Sequence, residues 1–256
     1  MSSATAWPRK KRHSHPADDL LPSSAPTLNP IITMSQIAQA LQEIRSQLPD
    51  GTRLVAVSKY HPVEMIEEAY RCGQRIFGES HVQELQEKRP QLPADIEWHF
   101  IGHLQTNKVK YIAPYISMIH SVDSPHLLHE INRQGARYER RIPCLLQLHI
   151  AQEETKYGFL PEELLDFLRD GVWRTMGNVE IRGLMCMASN VDDEAQIAEE
   201  FSRAHALYNK VRADFFPQDA SFCECSWGMS DDFHIAVRHG STLVRVGSRI
   251  FGLRVY

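Results

Sequence analysis

One lysine in this chain stands where imine chemistry would need it. Residues Leu54-Val55-Ala56-Val57 are apolar and predict a buried strand, and Lys59 follows at the end of that strand. Burial and nearby cations disfavour an ammonium group, so they raise the fraction of neutral amine that can attack an aldehyde. Lys59 is therefore a candidate imine-forming residue. A lysine that ends a strand and extends into solvent is the competing interpretation.

Two short turns near the carboxyl terminus have the composition of phosphate-binding loops. They are Ser226-Trp227-Gly228-Met229-Ser230 and Val246-Gly247-Ser248. Glycine lets backbone N–H groups approach a phosphate closely, and serine hydroxyls add donors. A helix expected to begin near Asp231 would direct its positive end at the first turn. Ordinary turns share this composition, so the phosphate prediction gains its specificity from the combination of both turns with Lys59.

Arg245 precedes Gly247 by two residues, so the two positions share one face of a predicted strand. If Leu243 and Gly247 face the interior, Arg245 does too, and a buried guanidinium needs a partner. One candidate partner is a carboxylate of the barrel. The other is the ring nitrogen of an aromatic cofactor, which the permanent charge of Arg245 would keep unprotonated.

The rest of the chain alternates short β-rich segments with amphipathic helical segments, after a leading helix at 35–48. This alternation predicts one (β/α)8 TIM barrel with an extra N-terminal helix, in which functional residues follow the carboxyl ends of the strands. An open doubly wound sheet would need a glycine-rich loop after the first strand, where Ser58-Lys59-Tyr60-His61-Pro62 stands instead. The predicted strands are 54–59, 75–80, 97–103, 116–122, 142–151, 179–188, 222–230 and 243–252.

Polar residues also stand at the ends of the second, third and fourth predicted strands. They are Glu79, Ser80, His103 and Asp123, and their positions make them candidates for the mouth of the barrel. His99 and His103 are four residues apart, a spacing that brings two rings together on a helix but not on a strand. We therefore predict no metal site.

Composition and charge exclude several classes of protein. The 256 residues are 43% hydrophobic and 23% charged, as in globular proteins, and no apolar run approaches the roughly 18 residues of a transmembrane helix. A net charge of −4 gives no general attraction for nucleic acid or anionic membranes. Five cysteines, an odd number, favour a reducing compartment. We expect a cytoplasmic monomer without nucleic-acid or membrane partners.

The first 33 residues differ from the remainder of the chain. They contain five prolines and a basic cluster at 9–13, without a sustained helical or strand period, and predict a disordered tail. A regular helix pattern begins directly after Met34. We expect the natural protein to start there, the barrel to occupy 34–256, and no second domain to follow.

Spaced motifs over most of residues 35–252 resemble the pyridoxal phosphate homeostasis proteins, a family of alanine-racemase-like barrels. The chain departs from the family pattern at Ser80, His149 and Trp227, near the expected edge of the cofactor. The matching motifs are Ala56-Val57-Ser58-Lys59, Phe77-Gly78-Glu79, Val82-Gln83-Glu84, Trp98–Lys108, Glu154–Gly158, Gly183-Leu184-Met185, Ser226, Gly228–Asp232, Gly240–Gly247 and Ile250-Phe251-Gly252.

The resemblance implies a protein of fold type III that binds pyridoxal 5′-phosphate (PLP) and serves intracellular vitamin B6 homeostasis. Lys59 would carry PLP as an internal aldimine, and Arg245 would face its pyridine nitrogen. PLP-dependent apoenzymes or a regulatory protein would be the protein partners. The residues around the phosphate would be Ser226, Gly228, Met229, Ser230, Gly247 and Ser248.

Three functions are compatible with these residues: a non-catalytic PLP carrier or regulator, a racemase-like PLP enzyme, and an aldolase that uses Lys59 without a cofactor. Racemisation needs a strong electron sink and acid or base groups on both faces of the substrate. Arg245 opposes protonation of the ring, and a lone barrel lacks the base that a second domain supplies in the racemases it resembles. We therefore predict a protein that holds PLP without robust catalysis, and we rank the aldolase last.

Overall fold

The computed structural model describes residues 35–150 and 157–252. The expectations for the tail at 1–33, for a start at Met34 and for the motif residues 154–156 lie outside those ranges. Within them, no helix combines the length and the apolar character needed to cross a bilayer.

Eight parallel strands, numbered in chain order, form a closed barrel. Their bounds are β1 Arg53–Val57, β2 Ile76–Glu79, β3 Glu97–Phe100, β4 Met118–Val122, β5 Ile142–Gln147, β6 Val179–Met185, β7 Glu224–Ser226 and β8 Leu243–Val246. β8 pairs in parallel with β1 and closes the barrel. The predicted (β/α)8 architecture is confirmed.

Helices connect the strands on the outside of the barrel, as the alternating pattern requires. The α-helices of the described residues are α1 Gln36–Ser46, α2 Val63–Arg71, α3 Val82–Lys88, α4 Thr106–Ile112, α5 Pro125–Arg137, α6 Pro161–Asp170, α7 Glu194–Phe215, α8 Phe233–Arg238 and α9 Ser248–Phe251. Short 3₁₀ segments follow α3 at Arg89–Gln91 and α6 at Val172–Thr175.

The extra N-terminal helix is present as α1. Ser35 caps it, because its Oγ accepts a hydrogen bond from the Ala38 N–H at 3.1 Å. Ile37, Leu41 and Ile44 recur on one face and are buried. α1 packs on α2 and α9, so it joins the first and last helices of the described barrel.

The predicted strands extend too far at their carboxyl ends. β1 ends at Val57, so Lys59 lies in the following turn, and β7 ends at Ser226. The largest correction concerns 243–252, where the strand stops at Val246 and a helix, α9, follows. Ile250 and Phe251 are of residue types that favour strands, but they lie on that helix, and their side chains are buried. β propensity depends on a neighbouring strand for pairing, and these residues have none.

A separate cluster of apolar side chains fills the middle of the barrel. It consists of Val55, Met118, Leu145, Met185 and Leu243. Since Leu243 belongs to this cluster, position 245 on the same face of β8 also points inward. The inward direction predicted for Arg245 follows.

The close approach of β6 to β7 predicts a sharp effect of one substitution. Gly183 has a φ of +152°, and an added Cβ would collide with the backbone oxygen of Glu224. Gly183→Ala should lower the free energy of unfolding in urea by about 3 kcal/mol or more. Gly177→Ala is the control, because no atom lies within 4 Å of its added Cβ. Equal stability of the two variants would contradict this packing.

Candidate functional site

A cavity of about 220 Å³ opens at the carboxyl-terminal mouth of the barrel. β1 and β8 are paired neighbours, with Val55 aligned to Arg245, so the loops that follow them open side by side. The structure thereby brings together six of the eight predicted site residues. The six that line the cavity are Lys59, Met229, Ser230, Arg245, Gly247 and Ser248.

The other two predicted site residues, Ser226 and Gly228, stand behind the cavity wall. Ser226 is fully buried inside the barrel, where its side chain and carbonyl accept hydrogen bonds from Arg245. Gly228 has a φ of +89°, and an added Cβ would lie 2.6 Å from the Cβ of Ala236. Ser226 therefore acts on the cavity by holding Arg245, and Gly228 does so by permitting the close packing of its turn against Ala236.

Lys59 is half-buried in the turn between β1 and α2. The N–H of His61 donates to the carbonyl of Ser58 at 3.1 Å and closes this turn. Tyr60 has a φ of +67°, in the left-handed region that residues other than glycine adopt infrequently. The turn therefore depends on contacts from neighbouring elements.

Those contacts come from a buried charged network on the outer face of β1 and β2. The Lys88 ammonium donates to Glu79 Oε1 at 2.8 Å, to Glu84 Oε1 at 2.6 Å and to the Ser58 carbonyl at 2.8 Å. The Ser58 hydroxyl donates to Glu79 Oε1 at 2.7 Å. The Tyr60 N–H donates to Glu84 Oε1. Every proton of the ammonium group has an acceptor, so this buried charge is satisfied.

Glu79 is fully buried in this network and does not face the barrel mouth. Its neighbour Gly78 faces the interior, where an added Cβ would lie 3.0 Å from Val55 Cγ1, so Glu79 points to the helices. Burial raises the pKa of Glu79 to about 7, although Lys88 opposes the shift. Glu79 Oε2 has no hydrogen-bond partner among the described residues.

The Arg245 guanidinium is buried and held by neutral acceptors. It donates to the Ser226 carbonyl at 2.7 Å, to Ser226 Oγ at 2.6 Å and to the Cys186 carbonyl at 2.9 Å. Within the described residues it forms no ion pair, so the barrel carboxylate considered as its partner is absent there. Burial lowers the pKa of Arg245, but arginine starts so high that the charge remains. A fixed cation therefore stands in the cavity wall.

Two buried histidines extend this arrangement through the barrel interior. His120 Nδ1 lies 2.9 Å from Ser226 Oγ, and His120 Nε2 lies 2.9 Å from His99 Nδ1. Burial lowers the pKa of His99 to about 3 and that of His120 well below its usual value, so both are neutral. Since Arg245 can only donate, the Ser226 hydroxyl accepts from it and donates its own hydrogen bond to His120 Nδ1. Sequence reasoning missed His120, although it alternates with inward-facing Met118.

The two serine turns are joined to each other. The Gly247 N–H donates to Ser230 Oγ at 3.2 Å, and the Arg245 N–H donates to the Gly228 carbonyl at 3.0 Å. A Cβ on Gly247 would approach the Val57 carbonyl to 3.0 Å, so the small residue permits the close passage of the chain. Hydroxyls and backbone N–H groups thus gather on one side of the cavity.

The polar residues after β3 and β4 form a separate pair at the surface. His103 Nδ1 lies 2.8 Å from Asp123 Oδ2, and the His103 ring stacks on Tyr157 with centroids 3.9 Å apart. Neither His103 nor Asp123 lines the Lys59 cavity. Sequence reasoning placed both at strand ends, but the structure does not bring them into the same cavity as Lys59.

The three departures from the family pattern occupy different environments. Ser80 lines the cavity, whereas Trp227 is fully buried and its indole N–H donates to the His239 carbonyl at 3.3 Å. Trp227 therefore does not stand at the edge of the cavity as expected. His149 is half-buried just beyond β5, and its N–H donates to the Phe159 carbonyl at 2.9 Å.

The cavity is lined by groups with distinct chemistry, among them the carboxylate of Asp231. Lys59 supplies an amine, Arg245 a fixed positive charge, and Ser230 and Ser248 supply hydroxyl donors. Apolar side chains complete the walls, including Val57, Ile101 and Met187. This donor set fits a small aromatic molecule that carries an aldehyde and a phosphate.

Comparisons with known proteins find close similarity over nearly the whole chain. The family model of the alanine racemase N-terminal domain matches residues 32–255. A pyridoxal phosphate homeostasis protein from Pasteurella multocida is 36% identical over 229 residues, which cover 87% of this chain and 97% of that protein.

Solved structures give the same result. PipY from Synechococcus elongatus, with PLP bound, has a TM-score of 0.77 and 37% identity and covers 84% of this chain and 100% of PipY. Alanine racemase from Bartonella henselae, with covalently bound pyridoxal phosphate, has a TM-score of 0.65 and covers 86% of this chain and 59% of the racemase. At 15% identity, the racemase shares the fold alone.

The buried acid predicts an unusual pH dependence of stability. The folded pKa of Glu79 is about 7 and its ordinary value is 4.5, so the folded state retains a proton that the unfolded state releases. Ionisation of Glu79 should therefore lower the free energy of unfolding by roughly 3 kcal/mol as pH rises through this window. Glu79→Gln should remove this loss.

The measurement is urea denaturation of wild type and Glu79→Gln between pH 4.5 and 8. His99 and His120 act in the opposite direction, since their lowered pKa values favour the folded state at higher pH. Both proteins contain these histidines, so the quantity to compare is the difference between their free energies of unfolding at each pH. That difference should grow in favour of the variant as pH rises and level off above pH 7. A difference independent of pH would contradict the raised pKa of Glu79.

Proposed function

We propose that this chain, which belongs to the pyridoxal phosphate homeostasis protein family, binds PLP in the Lys59 cavity. We further propose that it serves intracellular vitamin B6 homeostasis. The observation that carries the proposal is the convergence of Lys59, Arg245 and the two serine turns on one cavity. PLP bound to the related PipY supports it.

Each group of the cavity has a part in holding the cofactor. Lys59 would hold the cofactor covalently, because its amine can condense with an aldehyde with the loss of one water. Ser230, Ser248 and the backbone at Gly247 bind the phosphate, while Gly228, Met229 and Ser226 shape the turn beside it. Arg245 would face the ring nitrogen.

Arg245 determines what the bound cofactor does. When bound, PLP would supply an electron-withdrawing ring that can stabilise negative charge on the α-carbon of an attached amino acid, most strongly when the ring nitrogen is protonated. A protonated nitrogen would stand against the fixed charge of Arg245, which Ser226 and Cys186 hold in place. The neutral ring is a weaker electron sink. We therefore propose a role in holding PLP rather than in rapid turnover, with a racemase-like activity as the alternative.

The cofactor so held would pass to PLP-dependent apoenzymes or act on a regulatory protein, and we place this role in a cytoplasmic monomer. Residues 34–256 would carry it and the tail at 1–33 would be dispensable. The family name of the relatives supports the homeostatic role.

Covalent attachment at Lys59 is directly testable. Protein incubated with PLP and reduced with borohydride should carry a phosphopyridoxyl mass on the peptide that contains Lys59. Lys59→Ala should lose this adduct, and Lys110→Ala, which removes an exposed lysine of α4, should retain it. Pyridoxal, which lacks the phosphate, should bind about tenfold or more weakly, because charge-assisted hydrogen bonds are lost. An undiminished adduct in Lys59→Ala would refute the assignment.

The weak electron sink predicts slow exchange of the α-proton of amino acids. Deuterium uptake by alanine in heavy water, followed by NMR, should stay far below the roughly 1 s⁻¹ of an ordinary enzyme. Arg245→Glu should favour ring protonation and accelerate exchange per bound cofactor. The amount of PLP on each protein is measured alongside. Wild-type exchange at enzymatic rates would overturn the holding role in favour of the racemase alternative.

A further inference from the structure

The two peptide groups that flank Lys59 are both hydrogen-bonded to the same buried ion pair. The Ser58 carbonyl belongs to the peptide bond before Lys59, and it accepts from Lys88 Nζ at 2.8 Å. The Tyr60 N–H belongs to the peptide bond after Lys59, and it donates to Glu84 Oε1. Lys88 and Glu84 are themselves joined at 2.6 Å. The backbone of Lys59 is thus held on both sides by one unit.

Stability alone does not require this unit. Lys88 is 7% exposed, and a buried ion pair of this kind generally adds no more stability than well-packed hydrophobic side chains of similar size. Tyr60 adds a cost, because its φ of +67° is strained for a residue with a Cβ. Both features concern the turn that carries Lys59, because the ion pair is hydrogen-bonded to the backbone of that turn. The buried ion pair and the strained Tyr60 together indicate that the Lys59 turn requires one particular backbone conformation.

We propose that Lys88 and Glu84 are positioning residues that set the direction in which the Lys59 side chain leaves its turn, and thereby govern covalent attachment of PLP. The inference rests on the proposed function, since it concerns the amine that attaches. Neither residue lines the cavity, so both act through the backbone of Ser58 and Tyr60.

The position of the unit separates attachment from binding. Lys88 and Glu84 lie on α3, outside β1 and β2, whereas the serine turns and Arg245 follow or belong to β7 and β8. Loss of the unit should leave the phosphate and ring contacts intact and misdirect only the amine. Pyridoxamine 5′-phosphate is a suitable probe of binding alone, because it carries an amine in place of the aldehyde and cannot attach to Lys59.

The experiment compares two glutamates of the same helix. Glu84→Ala removes the acceptor of the Tyr60 N–H, and Glu87→Ala removes an exposed carboxylate from α3 as the matched control. After mixing with PLP, the borohydride-trappable adduct should form about tenfold or more slowly in Glu84→Ala, as expected for the loss of a charge-assisted hydrogen bond. The dissociation constant of pyridoxamine 5′-phosphate should stay within about twofold of wild type. Glu87→Ala should change neither quantity.

A conservative variant provides the rescue. Glu84→Gln keeps a side-chain oxygen that can accept from the Tyr60 N–H, so it should attach PLP faster than Glu84→Ala. Attachment in Glu84→Ala at the wild-type rate would overturn the inference. So would an equal loss of attachment and of pyridoxamine 5′-phosphate binding, since that result describes general damage to the site. Failure of the proposed function is distinct, because wild type itself would then neither attach PLP nor bind the probe.

Discussion

The guanidinium of Arg245 inside the barrel is the constraint on which the site depends. Among the described residues, no carboxylate forms an ion pair with this permanent charge. Each N–H group that the guanidinium directs inward therefore needs a neutral acceptor. Ser226 and Cys186 supply these acceptors, and the hydrogen bonds continue from Ser226 to His120 and His99. Both histidines stay neutral, so neither adds a second positive charge beside Arg245.

A second buried cation, Lys88, lies on the other side of the strand wall and is treated differently. Its charge is paired with Glu84 and hydrogen-bonded to Glu79, so it offers nothing to a ligand and acts on the backbone instead. Arg245, with neutral acceptors only, keeps its charge available to the cavity. The two buried cations therefore have different roles: Lys88, whose charge is neutralised, acts on the backbone, and Arg245, whose charge is not, acts on the cavity.

The pairing of β1 with β8 joins these two systems. Val55 aligns with Arg245 and Ala56 with Val246, so the Lys59 turn and the Gly247 turn emerge beside each other from adjacent strands. Gly247 permits this approach, since a Cβ there would press on the Val57 carbonyl. An amine and a group of serine hydroxyls that emerge side by side suit the proposed cofactor, which would be held at both ends.

The sequence by itself determined the alternation of strands and helices, the position of Lys59 after the first strand, and the two serine turns, because periodicity and residue type are local properties. Only the tertiary structure decided that Glu79 faces Lys88 instead of the mouth and that His120 meets Ser226. The second contact joins residues 106 positions apart in the chain. Such contacts depend on the register between strands and on which helix covers them, and no local pattern specifies either. The same reason explains why the predicted strand at 243–252 became a short strand and a helix: pairing ends at Val246, and beyond it the packing of Ile250 and Phe251 decides the conformation.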